Sequence, residues 1–345
     1  MKSTANSNVT IGAVAIGRNE GQRLRACLGA LRRDLDYVVY VDSGSTDESR
    51  TIARDLGALV VELDTSTGYT AARARNAGFR RLLESPDVEY VQFVDGDCEV
   101  VDGWIESAAQ FLHEHPDVAV VSGRRRERDP QRNWYHRLTD MEWHAPPGEA
   151  KYCGGDAFMR VTAVRQVSGY RESLIAGEEP ELCVRLRKAG WRVWRLDREM
   201  TWHDIRMSSF RQWWRRAVRS GHAYAEGAAL HGAPPERHWV KESRSIWIWS
   251  AVLPLVAAIL AWPTGGLSLV ALLAVYLVQL ARMVWRRRTA GGDSFSAAWL
   301  YASFCLVAKW PQLVGQLRYW GGRWTKRPAA LIEYQAQSEP TPARP

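Results

Sequence analysis

Apolar and polar positions alternate in blocks along the first two hundred residues. Short apolar runs rich in β-branched side chains fall at Val9–Ile16, Tyr37–Val41, Leu59–Leu63, Glu89–Val94 and Val118–Ser122, and each predicts a buried strand. Between them, segments with helical spacing predict helices over Gly21–Arg33, Thr46–Leu56, Thr70–Glu84 and Gly103–Glu114. Ser45 with Glu48 three residues on predicts a capping box for the second helix. Such alternation predicts an α/β, Rossmann-like domain, its sheet mostly parallel with helices on both faces. Ligands of such sheets bind beyond the carboxyl ends of the strands. Arg18-Asn19-Glu20, Asp42-Ser43-Gly44 and Asp95-Gly96-Asp97 all fall at such ends.

Beyond Val118 the pattern changes. Trp134–Trp143 reads as an aromatic helix, Lys151–Arg160 is broken by Gly154-Gly155, and Glu179–Ala189 is amphipathic. Ser208–Leu230 carries Phe210, Trp213 and Trp214 beside several arginines, a mixture that predicts a helix lying in a membrane interface. From Ser245 to Ala281 there is no charged residue and no histidine over 37 residues. A helix rises about 1.5 Å per residue and a bilayer core is about 30 Å thick, so this run is long enough to cross twice. Pro263-Thr-Gly-Gly266 interrupts it and predicts a hairpin of helices at 246–262 and 267–285. Arg237, Lys241 and Arg244 precede the hairpin, and Arg282, Arg286, Arg287 and Arg288 follow it. Positive charge on both flanks predicts that both ends, and the catalytic domain, are cytoplasmic at the inner (plasma) membrane. Phe295–Leu317, interrupted by Lys309 and Pro311, is expected to be interfacial or re-entrant, and the proline-rich end at 338–345 disordered. The expected domains are thus 1–205, an amphipathic helix at 206–236, a membrane hairpin at 237–290, and an interfacial helix with a tail at 291–345.

Composition adds two constraints. The net charge of +8 is unevenly placed: Arg206, Arg211, Arg215, Arg216 and Arg219 occur with no intervening acid. Beside a membrane hairpin such a stretch points to lipid phosphate or a polyphosphate ligand, and no nucleic-acid partner is expected. The five cysteines form no Cys-x-x-Cys pair, which points to reduced thiols rather than a zinc ribbon or disulfide framework. Met1–Asn8 is polar and has no apolar signal core, so export of the first domain is not expected.

Asp95-Gly96-Asp97 places two carboxylates one residue apart at a strand end, where they can hold a divalent cation; it is equally a turn sequence. Its neighbours give it context. Val41-Asp42-Ser43-Gly44-Ser45-Thr46-Asp47, Ala74-Arg75-Asn76-Ala77-Gly78, Asp95-Gly96-Asp97, and Gly177-Glu178-Glu179-Pro180-Glu181-Leu182 with Arg185-Leu186 and Gly190-Trp191 follow one another in order. Trp202-His203-Asp204 and Gln212-Trp-Trp-Arg215 come after them. Over roughly residues 9–225 this series resembles the inverting family 2 glycosyltransferases of GT-A fold, of the membrane-associated bacterial type.

The resemblance implies a transfer from a nucleoside diphosphate sugar, UDP- or GDP-linked, with Mn²⁺ or Mg²⁺ as cofactor. It implies metal ligation by Asp95, Asp97 and His203, and donor contacts from Arg18, Glu20, Asp42, Arg75, Asp95 and Asp156. Arg18 stands where the family often has a base-stacking aromatic. Glu179 aligns with the family's catalytic base, usually Asp, with Glu178 beside it. Gly155 and the Gln212, Arg215 and Arg216 group are implied to face acceptor or diphosphate. Arg216 stands where processive synthases carry Trp, and two crossings leave no room for a polymer channel. One sugar per encounter is therefore expected, onto a lipid-linked acceptor of surface-polysaccharide synthesis. A sugar nucleotidyltransferase fits less well, because no Gly-rich activating loop follows the first strand. A membrane-anchored, non-catalytic binding protein fits poorly with Asp95, Asp97 and Glu179 all present.

Overall fold

The computed structural model describes residues 10–325 apart from positions 67 and 86, so the polar start and the proline-rich end lie outside the described residues. The chain divides into two units: 10–132 with 142–206, and 133–141 with 207–325.

The first unit is built on strands β1 (Thr10–Gly17), β2 (Tyr37–Asp42), β3 (Leu59–Glu62), β4 (Val88–Asp95), β5 (Cys98–Val100), β6 (Val118–Glu127), β7 (Gly148–Glu149), β8 (Ala157–Arg160) and β9 (Arg192–His203). They form one sheet in the order β3-β2-β1-β4-β8-β6-β9-β5, with β7 pairing β9. From β3 to β4 every pairing is parallel, as the alternation predicts. Beyond β4 the sheet is mixed: β8 runs antiparallel to both β4 and β6, β6 and β9 are parallel, and β5 is antiparallel to β9. Strand β6 continues five residues past the predicted end at Ser122, and β9 was not predicted at all.

Helices α1 (Gln22–Asp34), α2 (Ser49–Asp55), α3 (Ala71–Leu82) and α4 (Trp104–Glu114) follow the strands as expected; α5 (Trp134–Trp143), α6 (Val161–Gln166) and α7 (Glu178–Lys188) come later. Two hydrophobic cores lie on opposite faces of the sheet. One gathers Leu24, Leu28 and Leu31 of α1 with Trp104 and Leu112 of α4. The other gathers Phe79 and Leu82 of α3 with Leu182 and Leu186 of α7. The capping box predicted at Ser45 does not form. Helix α2 begins only at Ser49, and the Ser45 hydroxyl instead accepts from the Asn19 N–H at 2.9 Å. Asn19 returns the tie by accepting from Thr46 N–H at 2.7 Å, so the first two strand-end loops are stitched together.

The second unit is helical and takes in most of α5, with α8 (Phe210–His231), α9 (Val240–Trp247), a π turn at Ile248–Val252, α10 (Leu253–Ala261), α11 (Leu267–Gly291), α12 (Phe295–Val307) and α13 (Lys309–Thr325). Val240–Ala261 and Leu267–Gly291 are, among the described residues, long and apolar enough to cross a membrane, and most of each is exposed. The π turn lies just ahead of Pro254, whose ring would otherwise crowd the carbonyl of the preceding turn. Helix α8 differs from its predicted interfacial role. Trp213, Ala217, Val218 and Gly221 are buried, and α8 packs on α13. A Cβ at Gly221 would meet the Gln312 carbonyl oxygen at 2.0 Å, so the two backbones approach closely. Of the three aromatics expected at an interface, Trp213 is committed to the helix packing, whereas Phe210 stays exposed and Trp214 half-buried. Phe295–Leu317 is likewise two helices meeting at Ala308; α12, at 13 residues, spans about 20 Å and falls short of a bilayer core.

Candidate functional site

Strand register brings the predicted clusters to one rim. Gly17 pairs with Asp42 and Ile16 with Asp95, so the loops after β1, β2 and β4 emerge side by side. His203 reaches the same place by pairing with Cys98 on β5 and with Glu127 on β6. Its Nε2 stands 3.3 Å from Asp97 Oδ2, while its Nδ1 is 2.9 Å from Glu127 Oε2. The ring of Trp143 stands nearly perpendicular to the imidazole, their centres 4.6 Å apart.

This donor set suits a hard divalent ion. Ligand atoms of Asp97, Cys98 and His203 lie within 4.8 Å of one another, and those of Asp95, Cys98 and Asp156 form a second such group. Burial keeps the Cys98 thiol well above its ordinary pKa and therefore protonated, which leaves oxygen and imidazole as the donors. Glu127 fixes the ring and turns Nε2 toward Asp97, as the outer partner of a ligating histidine does. Burial disfavours the Asp97 carboxylate, but His203, Arg125 and Arg23 outweigh it and hold its pKa well below the usual range. Burial also disfavours the His203 imidazolium, and the facing Asp97 carboxylate raises its pKa nonetheless.

Arg75 links this cluster to α7. Its side chain is 2% exposed; Nη2 donates to Asp95 Oδ1 at 2.7 Å, and Nη1 lies 2.9 Å from an oxygen of each of Glu178 and Glu179. The two glutamates open α7, where helix N-terminal N–H groups favour acidic side chains. Burial, reinforced by Glu178, pushes the Glu179 carboxyl up to about 7 against the pull of Arg75. Glu179 remains the more open of the two. Gly155 lies against the same junction: a Cβ there would meet Asp95 Oδ2 at 2.7 Å and Arg75 Nη2 at 2.8 Å.

Several residues expected to contact the donor also make internal hydrogen bonds and ion pairs. Asp42 is buried, and its carboxylate accepts from Gly44 N–H at 3.1 Å, Ser45 N–H at 2.8 Å and the Tyr40 hydroxyl at 3.2 Å. It therefore holds its own loop in shape. Asp156 is also buried; it accepts from Asp95 N–H at 3.0 Å and from the Thr201 hydroxyl at 2.7 Å, and so acts through Asp95. Glu20 is drawn beneath the Asp95-Gly96-Asp97 turn, 2.5 Å from Arg23. Burial, with Asp97 and Asp95 nearby, pushes its carboxyl up to about 8. Arg75, too, is held by carboxylates on both sides. Arg18 bonds the Tyr69 hydroxyl and lies over that ring, 4.8 Å from its centre. Gln212, Arg215 and Arg216 belong to the second unit; Gln212 completes a capping box with Ser209 at the start of α8, so it is engaged in starting that helix.

Arg23, Arg125, Glu127 and Trp143 were not anticipated. The signal for two of them was present: on a strand continuing to Glu127, alternation puts Arg125 and Glu127 on one face and Arg124 and Arg126 on the other. The outer pair meets Glu199, whereas Arg125 meets Asp95 and Asp97.

Comparison with known proteins gives this arrangement a family. The succinoglycan biosynthesis protein ExoA of Rhizobium meliloti (strain 1021) is 29% identical over 194 residues, 52% of this chain and 58% of that protein. The pre-mycofactocin glycosyltransferase of Mycobacterium tuberculosis (strain ATCC 25618 / H37Rv) is 28% identical over 228 residues, 62% of this chain and 46% of that protein. The chain spans between about a third and three fifths of the length of the curated relatives it matches. Among solved structures, a mannosyltransferase from Pyrobaculum calidifontis in complex with GDP-Man and Mn²⁺ shares the fold at TM-score 0.60 and 18% identity, covering 90% of this chain and 88% of that one. TarS of S. aureus, residues 1–349, does so at TM-score 0.51 and 15% identity, covering 91% and 92%. Residues 14–167 match the glycosyl transferase family 2 model, and this match, with the GT-A fold of the first unit, supports a family 2 glycosyltransferase domain there.

Proposed function

We propose that this protein transfers a sugar, with inversion, from a nucleoside diphosphate sugar to a lipid-linked acceptor at the cytoplasmic face of a membrane. The observation that carries the reading is the Arg75 junction, which joins the carboxylate of the Asp95-Gly96-Asp97 turn to the acids that open α7. One guanidinium thus ties a group suited to the departing diphosphate to a group suited to the attacking hydroxyl.

Glu179 takes the proton of the acceptor hydroxyl as the oxygen attacks the anomeric carbon from the face opposite the diphosphate. The bond from that carbon to the phosphate oxygen breaks, and the diphosphate leaves with the electron pair. A carboxyl pushed up to about 7 is a stronger base than an ordinary glutamate and is still largely ionised just above neutrality. Asp97 and His203, with Asp95 beside them, are suited to hold Mn²⁺ or Mg²⁺, which when bound neutralises charge building on the leaving group. Asp156 and Gly155 keep Asp95 in place, one by a hydrogen bond and the other by leaving room.

The lipid-linked acceptor and the membrane rest on the two apolar helices of the second unit and on the likeness to a succinoglycan biosynthesis protein. A donor screen tests the whole reading. Membranes containing the protein, with Mn²⁺ present, are expected to release UDP or GDP from one sugar donor when lipid-linked saccharide is supplied. No release from any UDP- or GDP-sugar rules the reading out.

A further inference from the structure

Arg125 sits inside the carboxylate cluster, yet it meets these carboxylates at longer range than Arg75 does. Arg75 meets its carboxylates at 2.7 and 2.9 Å, the range of charge-assisted hydrogen bonds. Arg125 meets Asp95 Oδ2 at 3.4 Å, Asp156 Oδ2 at 3.5 Å and Asp97 Oδ1 at 4.0 Å. Its Nε is buried and has no hydrogen-bond partner among the described residues. What holds the guanidinium comes from the side: the Cys98 sulfur at 3.0 Å and the face of Trp143, 4.6 Å from the ring centre. It is a counter-ion among carboxylates, held to them by one long hydrogen bond to Asp95 and by looser ion pairs to Asp156 and Asp97.

Its position matters because the same oxygens would serve a divalent ion. Asp95 and Asp97 each face Arg125 and each belong to a group able to hold metal. A dication and a guanidinium about 4 Å apart repel strongly in a partly buried site. Metal entering alone must either accept that repulsion or push Arg125 off Trp143 and Cys98. A diphosphate arriving with the metal removes the conflict, since its negative charge accommodates both cations.

We propose that Arg125 is a resident counter-ion that weakens binding of the free metal and so makes metal loading depend on the nucleotide diphosphate. The aromatic platform of Trp143 keeps the guanidinium available at the rim of the cluster, where the arriving phosphates meet it. The proposal rests on the metal reading given above and adds to it an order of assembly.

The test is Mn²⁺ titration of the full-length protein in detergent, by calorimetry and by electron paramagnetic resonance of free Mn²⁺, alone and with UDP or GDP. Wild type is expected to bind Mn²⁺ weakly alone and at least tenfold more tightly with one nucleotide. Arg125→Met is expected to bind Mn²⁺ alone at least tenfold more tightly than wild type, and the gain from nucleotide is expected to shrink by a similar factor. Unchanged or weaker Mn²⁺ binding by Arg125→Met overturns the proposal. If that variant does not fold, Trp143→Leu, which keeps the charge but removes its platform, is expected to tighten binding of Mn²⁺ alone at least threefold; no tightening overturns the proposal. A wild type that binds no Mn²⁺ with or without either nucleotide defeats the metal reading itself, which is a different result.

Discussion

Arg75 Nη1 lies 2.9 Å from Glu179 Oε1, and the other arm of the same guanidinium reaches Asp95. A planar, two-armed cation is needed for this span, and a lysine offers only a point charge. Arg75→Met leaves buried Glu178 and partly buried Asp95 and Glu179 without their shared partner, a loss of about 3–5 kcal/mol by the usual cost of breaking a buried pair. Urea denaturation should show that loss as a lowered midpoint. Arg75→Lys should recover much of the stability but not the transfer rate, which is expected to stay at least a hundredfold down. Full activity in the lysine variant would show that the span does not matter.

Glu179 gives the pH dependence its sign. The base works ionised, and its carboxyl is pushed up to about 7 by burial and by Glu178. The rate is therefore expected to rise with pH through about 7 and to fall tenfold per unit on the acid side. Glu179→Gln should abolish transfer and leave nucleotide affinity within a few-fold, as read by calorimetry with UDP and GDP. Wild-type turnover in that variant would remove the assignment.

The sequence made the rim legible because strand–helix alternation marks strand ends, and strand ends are where polar loops gather. Asp95 and Asp97 could be placed that way, whereas Arg75 and Glu179, both on helices, were picked out by the resemblance to family 2 glycosyltransferases. What it did not show was which polar groups face inward. Asp42 and Asp156 look like ligand contacts in a motif, yet buried loop N–H groups need acceptors and take these oxygens first. Strand β9 escaped notice because Arg192–His203 is interrupted by charges and paired with irregular register, so no clean alternation is present. Missing β9 also hid the route by which Glu127 comes to orient His203.

Glu127 supplies the third prediction. It holds His203 Nδ1 at 2.9 Å and also accepts from the Ile205 N–H at 3.1 Å. Glu127→Gln keeps the shape but removes the charge that fixes the ring, and Mn²⁺ affinity in the presence of nucleotide should fall about 10- to 100-fold. An unchanged affinity would mean that His203 takes no part in holding the metal.

Gly155 tests the packing of the junction from the opposite side. A methyl group there would lie 2.7 Å from Asp95 and 2.8 Å from Arg75, so the ends of this ion pair would have to shift apart to admit it. Gly155→Ala is expected to cost about 1–3 kcal/mol of stability, in the range of core overpacking, with a larger effect on activity. Thermal unfolding alongside donor turnover separates the two; a loss of stability with normal turnover would count against the site.

The apolar hairpin carries the last prediction. Trp247 and Trp285 stand near its charged ends and Trp262 at its turn, the places where aromatic side chains meet the two membrane surfaces. Within it, the polar side chains are satisfied locally, as a bilayer requires: Ser250 donates to the Ile246 carbonyl at 2.6 Å, and Ser268 donates across to the Ala257 carbonyl at 2.7 Å. On the proposed reading the positive flanks keep both ends cytoplasmic, and the turn at 263–266 then faces outward. Thr264→Cys, introduced into the full-length protein, should therefore react with a membrane-impermeant maleimide in intact cells, whereas Arg288→Cys should react only after permeabilisation. Wild type provides the background for the native cysteines, four of which are buried. Labelling of Arg288→Cys in intact cells, or of Thr264→Cys only after permeabilisation, would overturn the hairpin's orientation and with it the cytoplasmic placement of the Glu179 site.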